Sequence, residues 1–218
     1  SGVGPRSAEN PTVMLTGKPA LPKLPEPLQR IVEARHHDPF QVLGRHIQDG
    51  RCTVRAFLPK AERVRIVESG IELERIPGTD LFVWEGEPEQ APERYFLDWH
   101  DAYGTAHHHR DPYCFPPQIR DFDLHLFDEG RHWHAYRFLG AHARTVDGVA
   151  GVQFSTWAPN ADRVSVVGDF NAWDGRAHPM RVHGGSGVWE LFIPVIGAGS
   201  LYKFELRDRH GSIQVKID

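Results

Sequence analysis

Apolar and polar positions alternate with period two through much of the chain. The pattern is clear in Thr53-Val54-Arg55-Ala56-Phe57 and in Val152-Gln153-Phe154-Ser155-Thr156-Trp157. It recurs in Arg63-Val64-Arg65-Ile66 and Arg163-Val164-Ser165-Val166. Side chains on a strand point alternately to its two faces, and β-branched and aromatic residues favour that surface, so these runs predict half-buried strands. Turn-forming clusters separate the runs: Pro77-Gly78, Pro159-Asn160, Gly184-Gly185 and Gly197-Ala198-Gly199. Short strands at such spacing predict antiparallel sandwiches. Helical spacing is rarer. Leu28, Ile31, Val32 and Arg35 fall at i, i+3, i+4 and i+7, with Pro27 near the start, and predict one helix that ends at Asp38-Pro39. A second short helix is expected over residues 132–139. Pro112, Pro116 and Pro117 exclude regular structure from the first half of the connecting stretch, residues 111–130.

The pattern also repeats itself. LGRH around Leu43 returns as LGAH around Leu139, and FLPKAERVRIV from Phe57 returns as TWAPNADRVSVV from Thr156. Pro59 with Pro159, Arg63 with Arg163, Val64 with Val164 and Val67 with Val167 all differ by 100. Trp84-Glu85 answers Trp189-Glu190. YFLDWHDAYG from Tyr95 answers YKFELRDRHG from Tyr202, where the offset has grown to 107. Insertions therefore fall between strands, as expected of a duplicated unit. The predicted fold is all-β: two tandem immunoglobulin-like β-sandwich modules with one or two short helices. Residues 1–25 are expected to be a flexible segment, 26–110 the first module, 111–133 a linker and 134–218 the second module.

Composition narrows the function classes. The 218 residues carry 25 Lys and Arg against 29 Asp and Glu, a net charge of -4. That balance argues against nucleic acid, whose binding needs phosphate neutralisation. No run reaches the roughly 18 apolar residues of a membrane helix, so no membrane partner is expected. Residues 1–20 lack the apolar stretch of a signal peptide. Two cysteines, Cys52 and Cys114, are too few for a disulfide scaffold, and free thiols in a cytoplasmic setting are expected rather than a bridge. Fourteen histidines raise the question of a metal. His107-His108-His109 would alternate between strand faces, His132 and His134 diverge on a helix, and no Cys or carboxylate completes a set. No metal and no cofactor is expected.

From Asp123 onward the chain resembles bacterial 1,4-α-glucan (glycogen) branching enzymes. The residues that carry the likeness are DLHLFDEGRH over 123–132, YRFLGAH over 136–142, WAPNA over 157–161, VVGDFNAWDG over 166–175, HPMR over 178–181, GVWELFIP over 187–194 and LYKFE over 201–205. WAPNA and the F-N-x-W loop are shared with the wider class of family-48 carbohydrate-binding modules. The HLFxEGRH and LGAH blocks are more specific to branching enzymes. HHxPFxVLGxH over 36–46 resembles the extra N-terminal module that some of those enzymes carry. The likeness covers residues 26–218.

The resemblance implies a parent enzyme that cleaves an α-1,4 bond and transfers the released chain to a 6-hydroxyl. Retention of configuration requires two carboxyl groups close together, held in this family on a (β/α)8 barrel of about 250 residues. There is no room for that barrel here, and its motifs are absent. The sequence stops at Val215-Lys216-Ile217-Asp218, where the family would continue with a D-P-Y-like turn into the barrel, so an excised fragment is expected. The expectation is an accessory N-terminal region with no catalytic residue of its own. Asp121 and Asp123 are read as a solvated linker face. Expected partners are α-1,4-glucan (glycogen or a maltooligosaccharide) and the enzyme's own barrel. The alternatives are a stand-alone glucan-binding or regulatory pair, or the front of a debranching hydrolase; HLFxEGRH favours the branching enzyme.

The candidate site is Trp173 with Lys203. An indole face stacks on glucose and an ammonium donates to sugar hydroxyls. The resemblance matches both positions to glucan contacts in binding members of the wider class. Those members often carry a second tryptophan after the next Asp-Gly turn, where this chain has Ser212 and Ile213. Packing of Trp173 against its own sandwich or the barrel is the competing expectation. The first repeat has Val67-Glu68-Ser69-Gly70 in place of the loop, so a glucan site of this type is not expected there. Trp84, Trp157 and Trp189 are expected to pack in sheets, and the role of Trp99 is open.

Overall fold

The structure is a computed structural model and describes residues 23–130, 135–197 and 199–217. Most of the expected flexible segment, residues 1–22, lies outside the described residues, as do His132 and His134. Helix α1, Glu26–Val32, leads into strands β1 Gly44–Gln48, β2 Arg51–Phe57, β3 Ala61–Ile66, β4 Glu72–Arg75, β5 Leu81–Gly86, β6 Phe96–Asp101 and β7 Ala106–Arg110. Helix α2, Asp121–Asp128, follows. Then come β8 Gly140–Val146, β9 Val149–Trp157, β10 Ala161–Gly168, β11 Arg181–Val182, β12 Val188–Pro194, β13 Tyr202–Asp208 and β14 Ile213–Lys216.

The first seven strands form one antiparallel sheet in the order β1-β2-β5-β4-β3-β6-β7. Strand β4 is the corner. Its Glu72 and Leu73 pair with Arg65 and Val64, whereas Glu74 and Arg75 pair with Val83 and Phe82. The sheet thereby folds into two layers over Val54, Val64, Ile66, Phe82 and Leu97. The later strands form two sheets, β11-β12-β9-β8 and β10-β13-β14, around Phe154, Val164, Val166, Trp189, Leu191 and Phe204. The fold is therefore all-β, as the alternation predicts, with layered antiparallel sheets of immunoglobulin-like type.

The duplication extends to single hydrogen bonds. Both β3 and β10 shift register at the same place, between Ala61 and Arg63 and between Ala161 and Arg163. Asp49-Gly50 and Asp147-Gly148 make matching hairpin turns with positive φ at both residues, the geometry that suits the twist of the flanking strands. His46 Nε2 donates to Leu43 O at 2.9 Å, and His142 Nε2 to Leu139 O at 2.7 Å. Asp101 Oδ1 accepts from the backbone of Tyr103 and Thr105, as Asp208 Oδ1 does from His210 and Ser212.

The register corrects one sequence pairing. Trp189 lies opposite Thr156, and Phe82 lies opposite Ala56, so Phe82 is the counterpart of Trp189. Trp84, opposite Val54, corresponds to Leu191, opposite Phe154. The offset of 107 thus already holds at β4, where Arg65 faces Glu72 and Ser165 bridges to Pro179. Residues 67–71 link β3 to its neighbour, whereas the matching stretch, 167–178, holds the end of β10 and a longer loop to Pro179. The extra length is the loop that carries Trp173.

Other expectations are corrected in the connecting segments. Helix α1 stops at Val32 rather than at Asp38-Pro39, because Ala34 turns to φ 54°. Of residues 132–139, the described part holds a single 3-10 turn, Ala135–Arg137, not an α-helix. The stretch read as linker holds a 3-10 turn, Pro112–Cys114, and helix α2. Asp121 and Asp123 sit in the first turn of α2, where carboxylates complement the helix dipole.

The two halves meet through a dense joint. The Tyr113 hydroxyl donates to Pro179 O at 2.8 Å, and its ring meets Phe40 edge-on, both packed against the second core. Arg163 Nε donates to Ala34 O at 2.9 Å and Arg207 Nη1 to Glu33 O at 2.6 Å. The Val182 amide donates to His37 O at 3.1 Å, and the Arg181 guanidinium lies 3.3 Å from the Phe40 ring centre.

Candidate functional site

The loop after β10 is built around three fixed points. Asn171 reaches back to the strand it leaves: its Nδ2 donates to Val166 O at 2.8 Å and its Oδ1 accepts from the Gly168 amide at 3.0 Å. The same Nδ2 lies 2.9 Å from His178 Nδ1. Burial, with a smaller contribution from nearby His109, pushes the His178 imidazole down to about 3. It is neutral at ordinary pH and accepts that bond. The second point is Asp174, which accepts from the Arg176 guanidinium through both carboxylate oxygens at 2.9 and 3.1 Å and from its amide at 2.9 Å.

The third point is Gly175. Its carbonyl accepts from Arg163 Nη1 at 2.8 Å and from Ser165 Oγ at 2.6 Å. Arg163 also donates to Glu205 Oε2 at 2.9 Å. A Cβ on Gly175 would overlap the Glu205 carboxylate, so a larger residue must displace that carboxylate from Arg163. Arg163, Ser165 and Glu205 stand on the outer face of the β10-β13-β14 sheet, since Val164, Val166 and Phe204 face the core. The loop is thus fastened across that outer face.

These fastenings place Trp173. Ala172 and Trp173 both adopt left-handed backbone, at φ 54° and 60°. Such values are rare for a bulky side chain and are held here by the surrounding bonds. The Trp173 amide donates to Gly168 O at 3.0 Å, and its indole Nε1 donates to Asp169 Oδ1 at 2.9 Å. The residue keeps 41% of its surface exposed. Lys203 lies opposite Val167 in the β10–β13 ladder, one step from Gly168, and shares the outer face with Glu205. The backbone of Trp173 is thus anchored at Gly168, the residue next to Lys203's ladder partner Val167.

Sequence reasoning missed the rest of that face. Ile213 and Val215 of β14 lie opposite Arg207 and Glu205, and with Ile217 they form an exposed apolar row. The signal was present as the alternation Ile213-Gln214-Val215-Lys216-Ile217. No ring occupies the position of a second tryptophan: Ser212 closes the Asp208 turn and Ile213 starts β14.

The remaining aromatic residues divide differently from expectation. Trp189 is buried in the second core, with Nε1 donating to Ala158 O at 3.0 Å. Trp84 packs half-buried on the first core. Trp157 is instead 49% exposed at the end of β9, its Nε1 donating to Ser186 O at 3.1 Å. Trp99 stacks on His107 at 3.8 Å and donates to His109 Nε2 at 2.9 Å. In the first half, Phe96 stands where Lys203 stands in the second, enclosed between His108 and the Arg110 guanidinium. His107 and His109 line one face of β7 and His108, paired with Asp98, the other. Among the described residues no cluster of three His, Cys, Asp or Glu could hold a metal ion, and no helix is long and apolar enough to cross a membrane. Cys52 and Cys114 are unpaired.

A layered sandwich with an exposed indole on a fastened loop is the class of a carbohydrate-binding module, and residues 138–218 match the family described as carbohydrate-binding module 48 (isoamylase N-terminal domain). Residues 24–113 match the family described as the N-terminal domain of the α-1,4-glucan branching enzyme GlgB. The chain belongs to the N-terminal region of the branching-enzyme family. It is 58% identical over 205 residues to the 1,4-α-glucan branching enzyme of Methylococcus capsulatus, covering 94% of this chain and 28% of that protein. The enzyme of Nitrosococcus oceani is 51% identical, covering 92% and 27%, and that of Cellvibrio japonicus is 50% identical, covering 89% and 28%. The chain thus spans somewhat over a quarter of the length of these curated relatives. Among solved structures, a pullulanase from Anoxybacillus sp. LM18-11 aligns with a TM-score of 0.26 at 12% identity over 81% of this chain and 28% of that one, too low a score to carry an argument.

Proposed function

We propose that the chain is the accessory, glucan-contacting region of a 1,4-α-glucan branching enzyme, serving glycogen synthesis in the cytoplasm. Residues 26–110 and 134–218 are its two modules, joined by 111–133, and the catalytic barrel is a separate part of the enzyme. Trp173 and Lys203 are its glucan contacts. The observation that carries this reading is the Trp173 indole, fixed by Asp169 and part-exposed on a loop anchored at Gly168, beside the ladder partner of Lys203. Unpaired Cys52 and Cys114 support a reducing compartment.

One stacked indole supplies a few kcal/mol of burial, part of which is lost to immobilising the ligand. A dissociation constant on the order of 0.1–1 mM or weaker follows for maltoheptaose. Titration of maltoheptaose with amide-shift detection, repeated on Trp173→Ala, tests the site. Shifts clustered near Trp173 and Lys203 that vanish in the variant support it. Unchanged binding in a folded variant rejects it. The exposed row Ile213, Val215 and Ile217 favours a second use of the same face, as a seat for the barrel, and loss of glucan binding to this face in the whole enzyme alone would favour that use.

A further inference from the structure

The opposite sheet of the second half carries a feature that the glucan reading does not use. Between the segment leading into α2 and the outer face of β8 and β9 lies a cleft of about 690 Å³. Gln153 lines it, although the residue is only 2% exposed. Its Nε2 donates to Glu190 Oε2, and that carboxylate is already surrounded by donors: the Gln118 amide at 3.0 Å, the Ile119 amide at 3.2 Å and His183 Nε2 at 2.6 Å. Glu190 only accepts, so the Gln153 NH2 must face it and cannot be exchanged with the oxygen. Gln153 Oε1 is left buried without a hydrogen-bond partner. An orphaned buried acceptor is unfavourable, and a ligand hydroxyl would satisfy it.

The mouth of the cleft has the opposite need. Arg120, Arg137 and Arg144 line it, all exposed, against one acidic side chain, Asp123. Among the described residues none of the three arginines is ion-paired. Three forked donors at the rim call for an anion, and an acceptor at the floor calls for a hydroxyl. A neutral glucan meets only the second need, and the cleft offers it no open aromatic face, since Phe138 is buried. We propose that this cleft binds a small polyhydroxylated anion of the sugar-phosphate class, with a sugar hydroxyl donating to Gln153 Oε1 and the phosphate held by the arginines.

The test titrates the chain separately with glucose 1-phosphate, inorganic phosphate and maltotriose while recording amide shifts. Saturable shifts at His142, Thr145 and Gln153 are expected with glucose 1-phosphate. Inorganic phosphate should bind about 10-fold more weakly, because it is too small to reach the rim arginines and Gln153 Oε1 together, and maltotriose should leave these residues unmoved. The double variant Arg137→Gln, Arg144→Gln, both at the exposed rim, should weaken glucose 1-phosphate about 10-fold or more with an unchanged melting temperature. Gln153→Leu, if folded, should erase the preference over inorganic phosphate. Trp173→Ala should change none of this, so failure of the indole site leaves the cleft standing and the reverse also holds. Absence of shifts, equal binding of inorganic phosphate, or maltotriose acting on the same residues overturns the proposal.

Discussion

The Tyr95 hydroxyl donates to Asp111 Oδ2 at 2.6 Å, and both residues are buried where the first sandwich ends and the joint begins. Burial lifts the Asp111 carboxyl to about 6, even though Tyr95 and the Tyr113 amide pull it down. A folded pKa above the unfolded 3.8 means that folding favours the protonated acid. That contribution is complete below the unfolded value and disappears as pH rises through the folded one. Asp111→Asn removes the titration. Relative to the native chain, the variant should gain stability on the order of 3 kcal/mol between about pH 4 and pH 7. Urea unfolding of both proteins at the two pH values measures this, and a difference independent of pH would refute it.

Arg63 and Arg163 are aligned residues that should respond to mutation in opposite ways. Arg63 pairs with Glu72 with 78% of its side chain exposed, whereas the Arg163 side chain is 3% exposed. Arg163→Met strands Glu205 and leaves the carbonyls of Ala34 and Gly175 short of a donor, at a cost of about 3–5 kcal/mol. Arg63→Met should stay within about 1 kcal/mol. Denaturation midpoints of the two variants decide it; similar losses would show that the cover over Arg163 contributes nothing.

Gly175→Ala should loosen the indole without touching it. The new methyl collides with the Glu205 carboxylate and must push it from Arg163 or lift the loop. A loss of about 1–3 kcal/mol is expected, as for other overpacked sites. Maltoheptaose shifts at Trp173 should weaken in the same variant. A protein of native stability and native binding would contradict the fastening described for the loop.

The chain alone should form no α-1,6 linkages. The described residues make antiparallel layers and hold no parallel β/α barrel on which paired carboxyl groups could stand. Incubation with amylose, followed by iodine staining and debranching analysis against a heat-killed control, should show no turnover; any enzyme-dependent branching would overturn this.

Much of this architecture was legible because period-two alternation and a repeated order of blocks both survive in the residues. Pro59 with Pro159 and Tyr95 with Tyr202 are pairs of that kind. Trp84 misled because a Trp-Glu dipeptide recurs two residues out of register; a shift of two keeps the same sheet face, so burial gave no warning. Helix α2 was hidden by Phe122-Asp123-Leu124-His125-Leu126, which alternates like a strand, and by the prolines before it. Gly130, at φ 66° just beyond the helix end, was the signal that could have revealed it. The cleft under Gln153 was not legible at all. It depends on Glu190 drawing in amides from residues 118 and 119, a contact between segments some 70 positions apart.

At residues 33–37 the joint between the halves is unequal in what it asks of each side. Arg163 and Arg207 reach across to main-chain oxygens of Ala34 and Glu33, and the Val182 amide to that of His37. Every residue type offers a carbonyl, so the 33–37 segment can change its side chains while remaining a valid socket. The plugs enjoy no such freedom, because no other side chain supplies the forked donors of arginine. Side-chain drift should therefore accumulate within residues 33–37, whereas Phe40 and Tyr113, whose rings enter the joint, should be held as tightly as the arginines.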